Sequence, residues 1–393
     1  MPSEVSVARA RIALSEPELT GREAEYLKAC IDTGWVSSGG PFVTRLEQMV
    51  AERVGARAGV AVSSGTAALH VALLVAGVEP DDEVLVSTLS FIAPANAVRY
   101  VGAWPVLVDA EPETWQMDVD RVARFLEGEC TVGTGVTRHR ATGRRVKALL
   151  PVHVLGHPVD MDPLLELARR HGLVVIEDAT ESLGALYRGR PAGTLGDIGC
   201  FSFNGNKIVT AGGGGVLVTD REDWAARARY LTTQAKDDPL EYVHGAVGYN
   251  YRLTNLQAAV GCAQMERLDE FVARKRRIAA TYREHVGKLG GLTFMSQAPW
   301  AASTFWLATA LVDAHAFGCD SRELMRRLDA VGIQSRPLWQ PLHMSGPHAD
   351  AFRLGGAVAE RLHRQALSLP SSVGLTPSDQ ERVCRAIAEA ARP

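Results

Sequence analysis

The chain reads as an α/β protein with a mainly parallel central sheet and a smaller C-terminal domain. Two patterns predict this. Over the first two thirds, short β-rich runs alternate with helical stretches, as in layers of strand and helix. From about Leu253 the apolar spacing changes to a helical period and stays there for some thirty-five residues. At 393 residues, 46% of them hydrophobic, the chain is long enough for two domains, each with a core.

In order, Gly59-Val-Ala-Val is strand-like and runs into a helix that opens at Ser63-Ser-Gly-Thr66. Val84-Leu-Val, Val106-Leu-Val-Asp109, the run from Val146 to Val152, Leu173 to Glu177 and Val216-Leu-Val each read as buried strands. Thr66 to Gly77 and Pro163 to His171 read as helices between them. The polar, glycine-containing stretch from Glu127 to Arg145 reads as a surface hairpin. Leu256, Val260, Ala263, Phe271, Ile278, Tyr282, Val286 and Leu289 predict one long amphipathic helix leading into the smaller domain. Residues 1–254 are thus expected to form the large domain, and 255–393 the linking helix and small domain.

Composition excludes several function classes. The formal charge of -3 lacks the basic excess of a nucleic-acid binder. No apolar run approaches the roughly 20 residues that span a bilayer. Met1-Pro-Ser-Glu-Val shows no basic and apolar secretory pattern, and the six cysteines are scattered without close pairs. A cytoplasmic protein with reduced thiols is the expectation. His153 and His157 have the spacing His-x3-His, but with no third ligand in sight and Pro158 next, no metal site is expected.

The chemistry gathers at strand ends, where ligands of parallel sheets bind. Lys207 lies on a polar turn between two apolar strands, and the strand Leu173 to Asp178 ends in an acid. An amine and a carboxylate at the ends of neighbouring strands match the needs of pyridoxal phosphate. The amine forms a Schiff base, and the acid keeps the pyridine nitrogen protonated. Ser63-Ser-Gly65-Thr66 at a helix start supplies amides for a phosphate, and Ser202 a further hydroxyl. An ordinary serine cap is the competing reading of that segment, less favoured beside Lys207 and Asp178. Glu181 follows Asp178 by three residues and approaches the ring hydroxyl in this reading; Phe91 offers an apolar face to a flat ring, with plain core packing as its alternative.

These residues together resemble the DegT/DnrJ/EryC1/StrS family of nucleotide-sugar aminotransferases, which are fold-type I pyridoxal-phosphate enzymes. The resemblance runs through Gly34-Trp-Val-Ser-Ser-Gly39, Ser63-Ser-Gly-Thr-Ala67, Ser90-Phe-Ile-Ala-Pro-Ala-Asn96 and Pro151-Val-His-Val-Leu-Gly156. It continues through Glu177-Asp-Ala-Thr-Glu-Ser-Leu-Gly184, Phe201-Ser-Phe-Asn-Gly-Asn-Lys207 and Gly248-Tyr-Asn-Tyr-Arg252. It implies that Lys207 binds the cofactor covalently and Asp178 pairs with its ring nitrogen. Glu181 lies near the ring hydroxyl, Phe91 stacks on the ring, and Gly65, Thr66 and Ser202 hold the phosphate. Asn250 is implied to reach the phosphate of a neighbouring subunit, hence a homodimer with shared active sites. Trp35, Ser37, Tyr251, Arg252, Arg336 and His343 are implied to face the substrate, the last two on the segment Ser335 to His343 that resembles the family's C-terminal substrate loop, with a surface or structural arginine as the competing reading of Arg336.

The reaction implied moves an amino group from L-glutamate, leaving 2-oxoglutarate, to C4 of a 4-keto-6-deoxy nucleotide sugar. The spelling of Asn204-Gly-Asn-Lys-Ile and Gln234-Ala-Lys-Asp resembles the branch that makes bacillosamine and legionaminic acid precursors, with a UDP-2-acetamido sugar. A GDP-perosamine-type enzyme is the alternative within the family. Lys207 argues against the sugar dehydratases, which carry histidine there. A non-catalytic homologue is opposed by the intact lysine, acid and phosphate set, and an enzyme of amino acids alone by the Gly34 and Gly248 segments.

Overall fold

A computed structural model describes residues 11–391 other than 134 and 239, so the N-terminal segment Met1 to Val5 lies outside the described residues. The central sheet has eight strands: β1 (Ala58–Val62), β2 (Glu83–Ser87), β3 (Trp104–Val108), β4 (Val146–Leu150), β5 (Val174–Asp178), β6 (Ile198–Ser202), β7 (Gly215–Thr219) and β8 (Phe352–Leu354). Across the sheet they run β1-β7-β6-β5-β4-β2-β3-β8. All are parallel except β7, which is antiparallel to both β1 and β6. This is the expected mainly parallel layer of a fold-type I enzyme.

Both faces are covered, which is why the strands read as unbroken apolar runs. The two-residue period divides them between two cores. Val84, Val86, Leu107, Leu150 and Ile176 face a core with the helix Gly65–Val75. Leu85, Val106, Val108, Leu149 and Val175 face the amphipathic helices Val119–Gly128 and Met161–His171, through Val122, Phe125 and Leu164. Directly after the helix Val119–Gly128, Cys130–Gly133 and Val136–His139 form the expected hairpin. It is tied down by a buried pair, His139 Nδ1 and Glu83 Oε2, 3.0 Å apart.

The expected long helix after Leu253 is instead two helices, Asn255–Met265 and Leu268–Val286. The apolar period continues through the joint, but the two halves bury against different partners. Ala258, Ala259 and Cys262 pack on the N-terminal helices Glu23–Thr33 and Pro41–Val54, whereas the second helix packs on Pro377–Ala390. At the joint Glu266 is fixed by the Tyr26 hydroxyl at 2.5 Å and Arg45 at 2.8 Å. A straight helix cannot serve both surfaces.

The C-terminal part builds a four-stranded antiparallel sheet from Leu292–Phe294, Thr309–Val312, Ala366–Ser368 and Arg336–Pro337. It also lends β8 to the edge of the central sheet. Among the described residues, no helix is long and apolar enough to cross a membrane.

Candidate active site

Because β1, β5 and β6 point the same way, their C-terminal ends open on one side of the sheet. Cys200 of β6 pairs with Asp178 of β5, so the loop after β6 brings Lys207 beside the loop after β5. A cavity of about 430 Å³ lies there. Among its walls are Gly65, Thr66, Phe91, Asp178, Glu181, Ser202 and Lys207, all singled out in the sequence.

At its foot the charges are buried and incompletely paired. Lys207 Nζ lies 3.7 Å from Glu181 Oε1. Glu181 Oε2 accepts the Leu155 N–H at 2.8 Å. To aim that amide, Leu155 takes a left-handed φ of 57°, a strained setting for a residue with a branched side chain. Burial pushes the Glu181 carboxyl up to about 7, against the pull of Lys207. Burial also raises Asp178, whose Oδ1 accepts the Thr180 N–H at 3.1 Å.

These features fit pyridoxal phosphate. A buried carboxylate disfavoured by burial calls for a cation, which a protonated pyridine nitrogen supplies. The helix Gly65–Val75 turns its start to the cavity, and the hydroxyl of its cap Ser64 accepts the Ala67 N–H at 3.0 Å. The first-turn amides of Gly65 and Thr66 have no acceptor within the helix, which suits a phosphate. A Cβ on Gly65 would come within 2.8 Å of Ser202 Cβ, so the backbone there lies close against the Ser202 wall of the cavity. Phe91, 57% exposed, presents a free face rather than the core packing that was its alternative.

The remaining sequence candidates lie outside the cavity of this single chain. Trp35 and Ser37 are exposed, and their carbonyls accept from Asn255 at 2.8 and 2.7 Å. Asn250 is exposed and bridges Thr233. Tyr251 stacks on Tyr249 and meets His70 Nδ1 at 3.3 Å, while the buried Nε of Arg252 has no hydrogen-bond partner. Arg336 is exposed. His343 is buried between Thr88 Oγ1 at 2.7 Å and Glu360 Oε1 at 3.3 Å.

Two tryptophans were not singled out from the sequence. Trp306 sets its ring 4.3 Å from Lys207 Nζ, and Trp339 stacks on Trp306 at 6.4 Å and 9°. Trp306 reads in sequence as a core aromatic, whereas Trp339 lies within the segment Ser335 to His343 that resembles the family's C-terminal substrate loop. His153 and His157 are both committed to hydrogen bonds, His153 Nε2 to Glu177 and His157 Nδ1 to the Pro158 carbonyl. Among the described residues, no cluster of potential metal ligands occurs.

A mainly parallel sheet covered on both faces, with a lysine, two buried acids and an open helix start at its strand ends, has the architecture of a fold-type I pyridoxal-phosphate enzyme. The chain belongs to the DegT/DnrJ/EryC1/StrS aminotransferase family, whose model matches residues 17–388. It is 40% identical to a GDP-perosamine synthase of Caulobacter vibrioides, over 96% of this chain and 97% of that protein. It is 39% identical to EpsN of Bacillus subtilis, over 95% of this chain and 94% of that protein. The crystal structure of S. venezuelae DesV superposes with a TM-score of 0.86 at 32% identity, covering 98% of this chain and 99% of that one. The enzyme is therefore a nucleotide-sugar aminotransferase, acting on a keto sugar nucleotide and an amino donor. Neither curated relative carries a name from the bacillosamine or legionaminic acid branch, so the motif spelling that resembled that branch does not decide the sugar.

Proposed function

We propose that the enzyme transfers the amino group of L-glutamate to C4 of a GDP-linked 4-keto-6-deoxy sugar, in the manner of a GDP-perosamine synthase. The 40% identity to a protein of that name across nearly the whole chain supports GDP over the UDP-2-acetamido sugar. What carries the chemistry is the buried set of Lys207, Glu181 and Asp178 at the foot of the cavity.

In this reading Lys207 Nζ is the attachment point and, once freed, takes the proton from the α-carbon of glutamate. It later delivers one to C4 of the sugar. Pyridoxal phosphate, when bound, supplies the sink for the electrons that the α-proton leaves behind. Asp178 holds the ring nitrogen in its protonated form. Glu181, with a carboxyl near 7, exchanges a hydrogen bond with the ring hydroxyl. Gly65, Thr66 and Ser202 hold the phosphate, and Phe91 covers the ring.

Asn250 lies outside its own chain's cavity and serves the neighbouring subunit's phosphate, which makes the working unit a homodimer. Trp35, Ser37, Tyr251, Arg252, Arg336 and His343 are assigned to the sugar nucleotide's surroundings in that assembly. The large domain spans 1–254 and the remainder forms the linking helices and small domain. All six cysteines are free and buried, in keeping with a cytoplasmic enzyme.

A panel of GDP-, UDP- and dTDP-linked 4-keto-6-deoxy sugars, incubated with glutamate and resolved by mass, tests the assignment. A 4-amino sugar formed fastest on GDP supports it. Turnover confined to the UDP-2-acetamido sugar would overturn the nucleotide assignment, and no turnover on any of them would overturn the C4 amination.

A further inference from the structure

Trp306 connects three parts of the site. Its ring lies over Lys207 Nζ, its Nε1 donates to the Asn206 carbonyl at 2.8 Å, and it stacks on Trp339. Its main-chain N–H donates to the Leu155 carbonyl at 3.0 Å, in the same turn that aims an amide at Glu181. What holds Trp306 from behind is a lysine.

Lys275, on the helix Leu268–Val286, is 1% exposed. Its Nζ donates to the Trp306 carbonyl at 2.9 Å and the Ser371 carbonyl at 2.5 Å. Among the described residues no carboxylate pairs with it, and burial draws its amine down to about 7. A lysine buried without an acid is costly, and an apolar side chain of similar shape would avoid that cost. The site, however, offers two carbonyls, and a neutral amine has two N–H bonds to give. One carbonyl belongs to Trp306 and the other to the segment after the strand Ala366–Ser368, so the amine ties the tryptophan to the C-terminal sheet.

We propose that Lys275 is a positioning residue that fixes Trp306 against Lys207 and Trp339, and through that ring sets how the sugar substrate meets the reactive lysine. Lys275 itself does not line the cavity. The substrate arm of this inference rests on the sugar-aminotransferase reading; the arm on the rings does not.

The test compares Lys275→Met, Trp306→Leu and the double variant. Near-ultraviolet circular dichroism of the cofactor-free protein reads the stacked tryptophan pair without substrate. Steady-state kinetics of the holoenzyme read KM and kcat for the keto sugar. The expected result is that Lys275→Met loses the near-ultraviolet signal that Trp306→Leu loses, and raises the sugar KM about tenfold with a smaller change in kcat. The double variant is expected to be no worse than Trp306→Leu alone, since both act through one ring. A wild-type near-ultraviolet spectrum in Lys275→Met, or effects that multiply in the double variant, would overturn the proposal. Should Lys275→Met fail to fold, Lys275→Gln is measured in its place against the same outcomes. A spectrum that changes while no sugar is turned over would fault the substrate assignment and leave the positioning role standing.

Discussion

Glu177 and Asp178 are neighbours at the end of β5, both buried, and they face opposite sides of the sheet. Their surroundings differ sharply. Glu177 Oε2 meets His153 Nε2 and the Gly193 N–H, each at 2.8 Å, and its Oε1 takes the amides of Leu195 and Gly196 at 2.6 Å. His153 Nδ1 accepts the Val159 N–H, so the ring proton sits on Nε2 and is donated to the carboxylate. On the other side, Asp178 and Glu181 share one lysine, and burial raises both carboxyls. A buried acid with all its partners fastens the loop after β5. Buried acids short of partners mark where a cationic cofactor belongs.

The largest effect separating the two sides is chemical. Lys207→Ala is expected to cut single-turnover amino transfer by at least about 10³-fold, the scale of losing a positioned proton carrier. Its far-ultraviolet circular dichroism should match the wild type, and pyridoxal phosphate should no longer give the lysine-bound absorption band. On the other side Glu177→Gln is expected to lower unfolding stability in urea by about 3 kcal/mol, because His153 and three amides lose a charged acceptor. Turnover per folded molecule should change far less than in the lysine variant.

A third prediction concerns pH. In the cofactor-free fold Glu181 titrates near 7, above its ordinary 4.5. Between those values the folded protein holds the proton and the unfolded chain does not, so stability falls as pH rises from about 4.5 to about 7 and then levels. The loss contributed by this group is up to about 3 kcal/mol. Urea titrations across that range check it, and Glu181→Gln should remove this contribution. Smallest is Gly65→Ala. Its Cβ would press on Ser202 Cβ at 2.8 Å and Thr180 Cγ2 at 3.1 Å. Equilibrium dialysis should show cofactor affinity weakened by about tenfold.

Much of the reactive side was legible in the chain. Apolar runs that end in Asp178 and precede Lys207 fix two strand ends, and parallel pairing then brings their loops together. The helix start at Gly65 was legible for the same reason, a strand-like run followed by small hydroxyl residues. Trp306 was not, because an aromatic among apolar neighbours looks the same whether its last face meets a core or a cavity. The fastening of Glu177 was also hidden: His153 lies twenty-four residues away, and backbone amides have no sequence signature. At the Glu266–Arg267 joint neither glycine nor proline interrupts the helical period, so only the change of packing partner reveals the break. Leu155 and Gly156 are both left-handed, at φ 57° and 83°, and only the second is a glycine. Trp35, Ser37, Asn250 and Arg336 are exposed on the single chain, away from the cavity.

Asp178 is held at a cost to the fold that the cofactor-free protein bears, whereas Glu177 is held to its benefit. Urea unfolding of cofactor-free Asp178→Asn beside Glu177→Gln tests this most directly. The expected result is that Asp178→Asn, which removes a disfavoured charge and keeps an oxygen for the Thr180 amide, is at least as stable as the wild type, while Glu177→Gln is clearly weaker. Equal destabilisation by the two substitutions would contradict it.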